Sequence, residues 1–255
     1  MPTGGMNVVR RYAEELLEEL RSSKSALILT GAGVSTASGI PDFRGPGGIY
    51  SKVPPETFDI DLFVSHPERY YRAEREILRD AFEAEPNETH ILIAKLEELG
   101  LIRAVITQNV DGLHQKAGSR KVIELHGNIS TGSCLRCGRR FRREEIDELL
   151  GREEVPRCGC GGVIKPDVVF FGEGLPPAAL GEGRRLAAEA DLMVVMGSSL
   201  VVYPAAALPE ITVRNGGRLI IITKGETGLD PLAYRRYEVD LVRFSREMLW
   251  HLTSD

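Results

Sequence analysis

The run "SALILT" (25–30) is apolar almost throughout and stops at a glycine, Gly31. Too short for a helix and lacking polar alternation, it predicts a strand buried on both faces. The same pattern recurs at "LIRAVIT" (101–107), "LMVVMG" (192–197), "RLIIIT" (218–223) and "VDLVRF" (239–244). Elsewhere the apolar residues fall at helical spacing. In "NVVRRYAEELLEELRSS" (7–23), Val8, Val9, Tyr12, Leu16, Leu17 and Leu20 share one face, with Asn7 placed to cap it. "PNETHILIAKLEELG" (86–100) predicts a helix ended by Gly100, and "AALGEGRRLAAEA" (178–190) another. Buried strands alternating with helices define an α/β fold, a Rossmann-like doubly wound parallel sheet.

Two segments break this rhythm. The stretch 44–85 reads as loop followed by helix, and 128–167 is polar and arginine-rich. They predict a small inserted domain, with 44–85 as a helical insert and 128–167 as a zinc-binding module. The Rossmann-like domain then comprises 1–43, 86–127 and 168–255.

All four cysteines of the chain, Cys134, Cys137, Cys158 and Cys160, lie in the second insert. Two close thiol pairs suit a tetrahedral Zn²⁺, and four sulfurs leave no position for water, so the zinc is expected to be structural. The spacing within Cys158-Gly159-Cys160 is tighter than usual, and Gly159, Gly161 and Gly162 give the backbone room to bend. No cysteine is left for a disulfide framework, which with the lack of a basic-then-apolar leader predicts a cytoplasmic protein. The net charge of −5 gives no reason to expect a nucleic-acid partner. No apolar run approaches membrane-spanning length, so no membrane association is expected. The basic run "CGRRFRREE" (137–145) reads as a solvated face.

Several loops at strand ends carry candidate chemistry. Gly31-Ala32-Gly33 resembles a dinucleotide-binding turn, but the chain meets Ile40-Pro41 where a dehydrogenase turn would continue as a helix. "ITQNVDGLHQKAG" (106–118) places Gln108, Asn109 and Asp111 where ligands bind in such sheets, or else uses Asn109 or Asp111 as a helix cap. Of five histidines, His114 and His126 lie in glycine-bearing loops near strand ends, whereas His66, His90 and His251 read as helix-entry, packing and tail residues. Gly197-Ser198-Ser199 directly follows a strand and allows close approach of a phosphate or ribose. In "KPDVVFFGEGLP" (165–176), Val169 and Phe171 share one face by alternation.

Taken in order, "GAGVSTASGIPDFRG", "TQNVDGLH", "ELHGN", the cysteine pairs, "VVFFGE" and "GSSLVVYPAA" make the chain resemble the sirtuins, the NAD-dependent protein lysine deacylases. The resemblance spans nearly the whole chain and is strongest to the bacterial and archaeal branch. It implies a transferase that uses NAD as co-substrate and an acetylated protein or peptide as the acetyl-donating partner. The products implied are deacetylated lysine, nicotinamide and O-acetyl-ADP-ribose. Transfer of ADP-ribose to another acceptor, or removal of other acyl groups, is the alternative.

The resemblance also implies residue roles. His126 would be the general base, with Asn109 and Asp111 holding the nicotinamide and its ribose as the bond breaks. Gly31, Ala32, Gly33, Thr36, Asp42, Phe43, Arg44, Gln108, Val110, Gly197, Ser198 and Ser199 would line the NAD site. Phe43 and Arg44 would sit on a flap over the nicotinamide ribose. Val169, Phe171 and Val202 would frame the acyl-lysine tunnel, and the peptide would lie as an added strand between "VVFFGE" and "SSLVVY". The chain departs from the family where an asparagine usually ends the strand read here as "RLIIIT". Thr223-Lys224 stands there, with Lys224 expected near the adenine ribose and Asp240 as a further cofactor contact. The Tyr and Arg that acidic-acyl sirtuins carry three residues apart are also missing, although Tyr71 and Arg75 could fall one helical turn apart.

Overall fold

A computed structural model of the chain describes residues 4–45, 47–78 and 83–253. Its strands are β1 (Ala26–Thr30), β2 (Ala104–Thr107), β3 (Val122–Glu124), β4 (Gly127–Cys134), β5 (Arg140–Arg142), β6 (Ile164–Val168), β7 (Leu192–Met196), β8 (Arg218–Ile222) and β9 (Arg235–Tyr237). Its α-helices are α1 (Gly4–Ser22), α2 (Ile60–Ser65), α3 (Pro67–Ala73), α4 (Glu88–Glu98), α5 (Leu113–Lys116), α6 (Arg143–Leu150), α7 (Pro177–Glu189), α8 (Ala207–Arg214) and α9 (Leu241–Thr253).

Six strands form one sheet in the order β3-β2-β1-β7-β8-β9, with every pair parallel. Numbered within the sheet, this is the 3-2-1-4-5-6 order of the Rossmann fold, and the order reverses between β1 and β7. Alternate residues of each strand feed opposite cores. Leu27 and Leu29 pack with Leu186, Ala187 and Leu208 from α7 and α8. Ile28 packs on the other side with Leu16, Leu20, Leu92, Phe244 and Met248 from α1, α4 and α9. This two-sided burial is why the strands read as unbroken apolar runs.

The second sheet is antiparallel, with β4 between β5 and β6. Its core is small: Cys134, Phe141, Ile146, Cys158 and Ile164. Beside it α2 and α3 gather Phe63, Tyr70 and Tyr71 around Phe170, which arrives from beyond β6. Arg143 of α6 joins the two parts through a 2.7 Å ion pair with Glu74, a residue only 2 % exposed.

Three sequence readings change. Asn7 lies inside α1, which begins earlier, and does not cap it. "VDLVRF" is not a strand. Asp240 accepts the backbone N–H of Arg243 and starts α9, while Leu241, Phe244, Ser245 and Met248 follow helical spacing. The sixth strand is instead Arg235–Tyr237, whose arginines disguise it. Finally, the run 137–145 is not wholly solvated, since Arg143 is largely buried against Glu74.

Candidate active site

At the reversal point the loops after β1 and β7 lie backbone against backbone. A Cβ on Gly31 would meet the Ser198 Cβ at 2.8 Å, and one on Gly33 would meet the Gly197 Cα at 2.8 Å. Gly197 itself has φ +62 and would carry a Cβ 2.6 Å from the Val34 nitrogen. These glycines are therefore demanded first by the mutual packing of the two loops, which the Gly33 N–H to Gly197 O bond (2.9 Å) fixes. That packing leaves a cavity of about 770 Å³ over the carboxyl ends of the strands, bounded on its far side by the small sheet and the helical insert. Every residue assigned from sequence to catalysis, cofactor or acyl-lysine lines this one cavity, from Gly31, Thr36 and Asp42 through Gln108–Asp111 and His126 to Ser199, Val202 and Asp240. Ser35, Tyr50, Phe58, Tyr70 and Ile129 also line it and were not anticipated.

His126 sits at the corner between β3 and β4. Its Nδ1 lies 2.8 Å from the carbonyl oxygen of Gln108. A carbonyl only accepts, so Nδ1 carries the proton and Nε2 keeps its lone pair. Burial pushes the His126 pKa below its usual value, and the bond to Gln108 recovers part of that shift. The corner depends on Gly127, with φ +72, where a Cβ would fall 1.9 Å from the Asp167 oxygen. The backbone oxygen of His126 in turn accepts the Val169 N–H at 2.9 Å, tying the histidine to the segment beyond β6.

Asn109 and Asp111 converge on Ser35. The Ser35 hydroxyl donates to Asp111 Oδ2 (2.7 Å) and accepts from Asn109 Nδ2 (3.0 Å). It also lies 3.3 Å from His90 Nε2. His90 Nδ1 accepts the Asn87 N–H, so Nε2 is the protonated nitrogen and donates to Ser35. Asp111 has a second role: its Oδ1 accepts the Leu113 N–H at the start of α5, although the residue at the N-cap is Gly112, not Asn109 or Asp111. Burial lowers His90 to about 4 and His114 to about 3, so both are neutral. His114 is fully enclosed and hydrogen-bonds Thr30, which bonds Thr107. Ser35 was legible only as a small polar residue after the glycine turn; its partners come from three distant segments.

The flap segment is tied by Asp42, which accepts the Gly45 N–H, and by bonds from Ile49 and Tyr50 back to Asp42 and Phe43. Phe43 stacks at an angle near Tyr50 and Phe58, and Arg44 lies over the Tyr50 ring. At the opposite end of the cavity Lys224 Nζ pairs with Asp240 Oδ2 at 2.8 Å, both largely exposed. Arg236 binds the carbonyls of Thr223 and Gly225 and the Asp230 carboxylate, ordering the turn after β8. Tyr71 and Arg75 do not form an acyl-recognition pair. The Tyr71 hydroxyl is buried on the Ile164 carbonyl, and Arg75 binds the carbonyls of Glu153 and Glu154.

The four cysteine sulfurs lie within 4.8 Å of one another, with Cys134–Cys160 at 3.5 Å and Cys137–Cys158 at 3.6 Å. A tetrahedron with Zn–S bonds of about 2.3 Å has sulfurs about 3.8 Å apart, so the set fits zinc. Each pair is followed by a left-handed glycine, Gly138 (φ +73) and Gly161 (φ +85). A Cβ on Gly162 would strike Cys134 Sγ at 2.7 Å. Glycine geometry thus accommodates the tight second pair. Backbone N–H groups, first that of Cys137, hold the Cys134 thiol down at about 6, whereas Cys137, though lowered by the Arg139 N–H, is pushed up to about 11 by the three neighbouring sulfurs.

A Rossmann-type sheet with a cleft at its reversal point and a four-cysteine knuckle that fits zinc on an inserted lobe defines a nucleotide-binding protein with a metal-binding module. The Sir2 family model matches residues 31–204, and the chain belongs to that family. It is 53% identical over 237 residues to the NAD-dependent protein deacetylase of Thermotoga maritima, covering 92% of this chain and 96% of the relative. A solved Sir2 variant with deacetylated p53 peptide and 3'-O-acetyl-ADP-ribose superposes with TM-score 0.91 at 52% identity, covering 93% of this chain and 97% of that one. A Sir2 complex with p53 peptide and NAD⁺ gives TM-score 0.89 at 51% identity, covering 95% and 99%.

Proposed function

We propose that the protein is an NAD-dependent protein deacetylase that moves the acetyl group of acetyl-lysine onto ADP-ribose. NAD⁺ supplies an anomeric carbon bearing a cationic leaving group. The weakly nucleophilic acetyl oxygen has to be held against that carbon, a problem of placement more than of reactivity. Val169, Phe171 and Val202 enclose the lysine stem and keep water from competing. Asn109 and Asp111, fixed by Ser35, hold the nicotinamide end. Gly31–Gly33 and Gly197–Ser199 receive the phosphates and ribose, and Thr223, Lys224 and Asp240 receive the adenosine end. His126 takes the proton of a ribose hydroxyl through Nε2. The exposed edges at Phe171 and Val201 suit an extended peptide laid between them. Four cysteines without a disulfide suit a cytoplasmic location. The small lobe is taken as 44–85 and 128–167.

The observation that carries this reading is His126: its Nδ1 proton is donated to the Gln108 carbonyl, leaving Nε2 free, in the same cavity as the glycine-packed reversal point. The test is incubation with an acetyl-lysine peptide and NAD, measuring nicotinamide release. Wild type turns over, and His126→Ala loses on the order of 100-fold or more. Absence of NAD-dependent deacetylation in the wild type would overturn the reading. Engagement of Tyr71 and Arg75 elsewhere argues against acidic acyl groups as the preferred cargo.

A further inference from the structure

Lys165 is a buried lysine with no part in the deacetylation steps. Its side chain is 9 % exposed, next to the segment that forms one wall of the tunnel. Its ammonium donates to the Pro166 oxygen (3.3 Å) and the Val168 oxygen (2.6 Å) and forms an ion pair with Glu173 Oε2 (2.9 Å). The ammonium also lies 4.3 Å from the centre of the Phe170 ring. Glu173 Oε2 also accepts the Phe170 N–H at 2.8 Å. The pair therefore grips the chain on both sides of Val169, at the Val168 carbonyl and at the Phe170 nitrogen.

The other groups of this strap are held by different elements. The Val169 N–H goes to His126, and Phe171 exchanges bonds with Phe58 and Ile60 (2.8 and 3.0 Å). β6 ends at Val168, so no regular strand pairing fixes residues 169–173. Taking an ammonium and most of a carboxylate out of water is costly, and an apolar pair of like volume is often as stable. Stability alone thus gives little reason for the pair, whereas placing Val169 and Phe171 against His126 does.

We propose that Lys165 and Glu173 are positioning residues that set the acyl-lysine wall of the cavity. The inference rests on the deacetylase reading. The test compares wild type with Lys165→Met, Glu173→Gln and Lys165→Arg in steady-state kinetics, with thermal melting of each. Lys165→Met keeps the packing on Phe170 and removes the grip. It is expected to raise the KM for an acetyl-lysine peptide roughly tenfold or more, leaving the KM for NAD within about twofold. Lys165→Arg is expected to restore most of the loss, and Glu173→Gln, which keeps an acceptor for the Phe170 N–H, to fall between. An unchanged peptide KM in Lys165→Met, or a uniform fall of all parameters in step with the melting temperature, overturns the inference. Absence of turnover in wild type would instead sink the deacetylase reading.

Discussion

A serine hydroxyl has one proton to give and two lone pairs to fill, and Ser35 uses all three. It gives to Asp111 and receives from Asn109 and His90, so one small buried group fixes the rotamers of both Asn109 and Asp111. The arrangement requires His90 to be neutral, and burial ensures it. His114 is kept neutral by the same means. That has a consequence for stability. In the unfolded chain both histidines titrate near their ordinary value of about 6.5. Below that pH the unfolded state binds protons that the folded state refuses until about pH 4 for His90 and about pH 3 for His114. Stability from these groups is complete above pH 6.5 and falls as the pH drops, by about 1.4 kcal/mol per pH unit for each histidine. Urea unfolding at pH 7, 6 and 5 should show this decline. A flat or rising midpoint over that range would contradict the buried, neutral assignment.

Among the elements, the corner between β3 and β4 has the narrowest tolerance. Its glycine is left-handed and faces the Asp167 carbonyl with no space for a methyl group. Gly127→Ala must displace either β6 or His126. A shift of about 1 Å in a reacting group can cost roughly 100-fold. We expect kcat to fall on that scale with far-ultraviolet circular dichroism unchanged, and near-normal kcat would show that the corner relaxes without moving the histidine. This corner also shows what the residues disclose in advance. Position just past an apolar run brought His126, Asn109 and Asp111 forward as candidates, because a parallel sheet delivers the ends of its strands to one edge, while their expected roles came from the family resemblance. The strand β9 could not, because three residues with two arginines carry no apolar signal. "VDLVRF" misled for the opposite reason: its Val, Leu, Val and Phe satisfy a strand pattern locally, while Ser245 and Met248, which complete the helical stripe, lie beyond it. Ser35 and His90 were not singled out as site residues because the partners that give them meaning lie far along the chain, and Lys165 because its partners meet it only once residues 166–173 fold back on it.

At the scale of the molecule the two lobes differ in what stabilises them. The parallel sheet has two extensive cores, each drawing on several helices. The antiparallel sheet has five buried core residues, of which two are cysteines. So few apolar side chains rarely hold a fold without a staple, and the thiolates provide a place for one. Further ties are the Arg143–Glu74 pair, the aromatic cluster around Phe170, and the bonds of Tyr71 to Ile164 and of Arg75 to Glu153 and Glu154. Removing zinc should therefore loosen 128–167 before it affects β1, β2, β7 and β8. The wall carrying Val169 continues directly from β6, so peptide turnover should be lost early. The glycine loops packed at the reversal point belong to the other sheet, so NAD binding should persist longer. Hydrogen exchange after chelation is the appropriate measurement, read beside NAD affinity and deacetylation. The expected result is selective loss of protection in β4–β6 and loss of turnover, with the parallel strands still protected. Simultaneous loss of protection in both sheets would mean that the knuckle stabilises the whole chain.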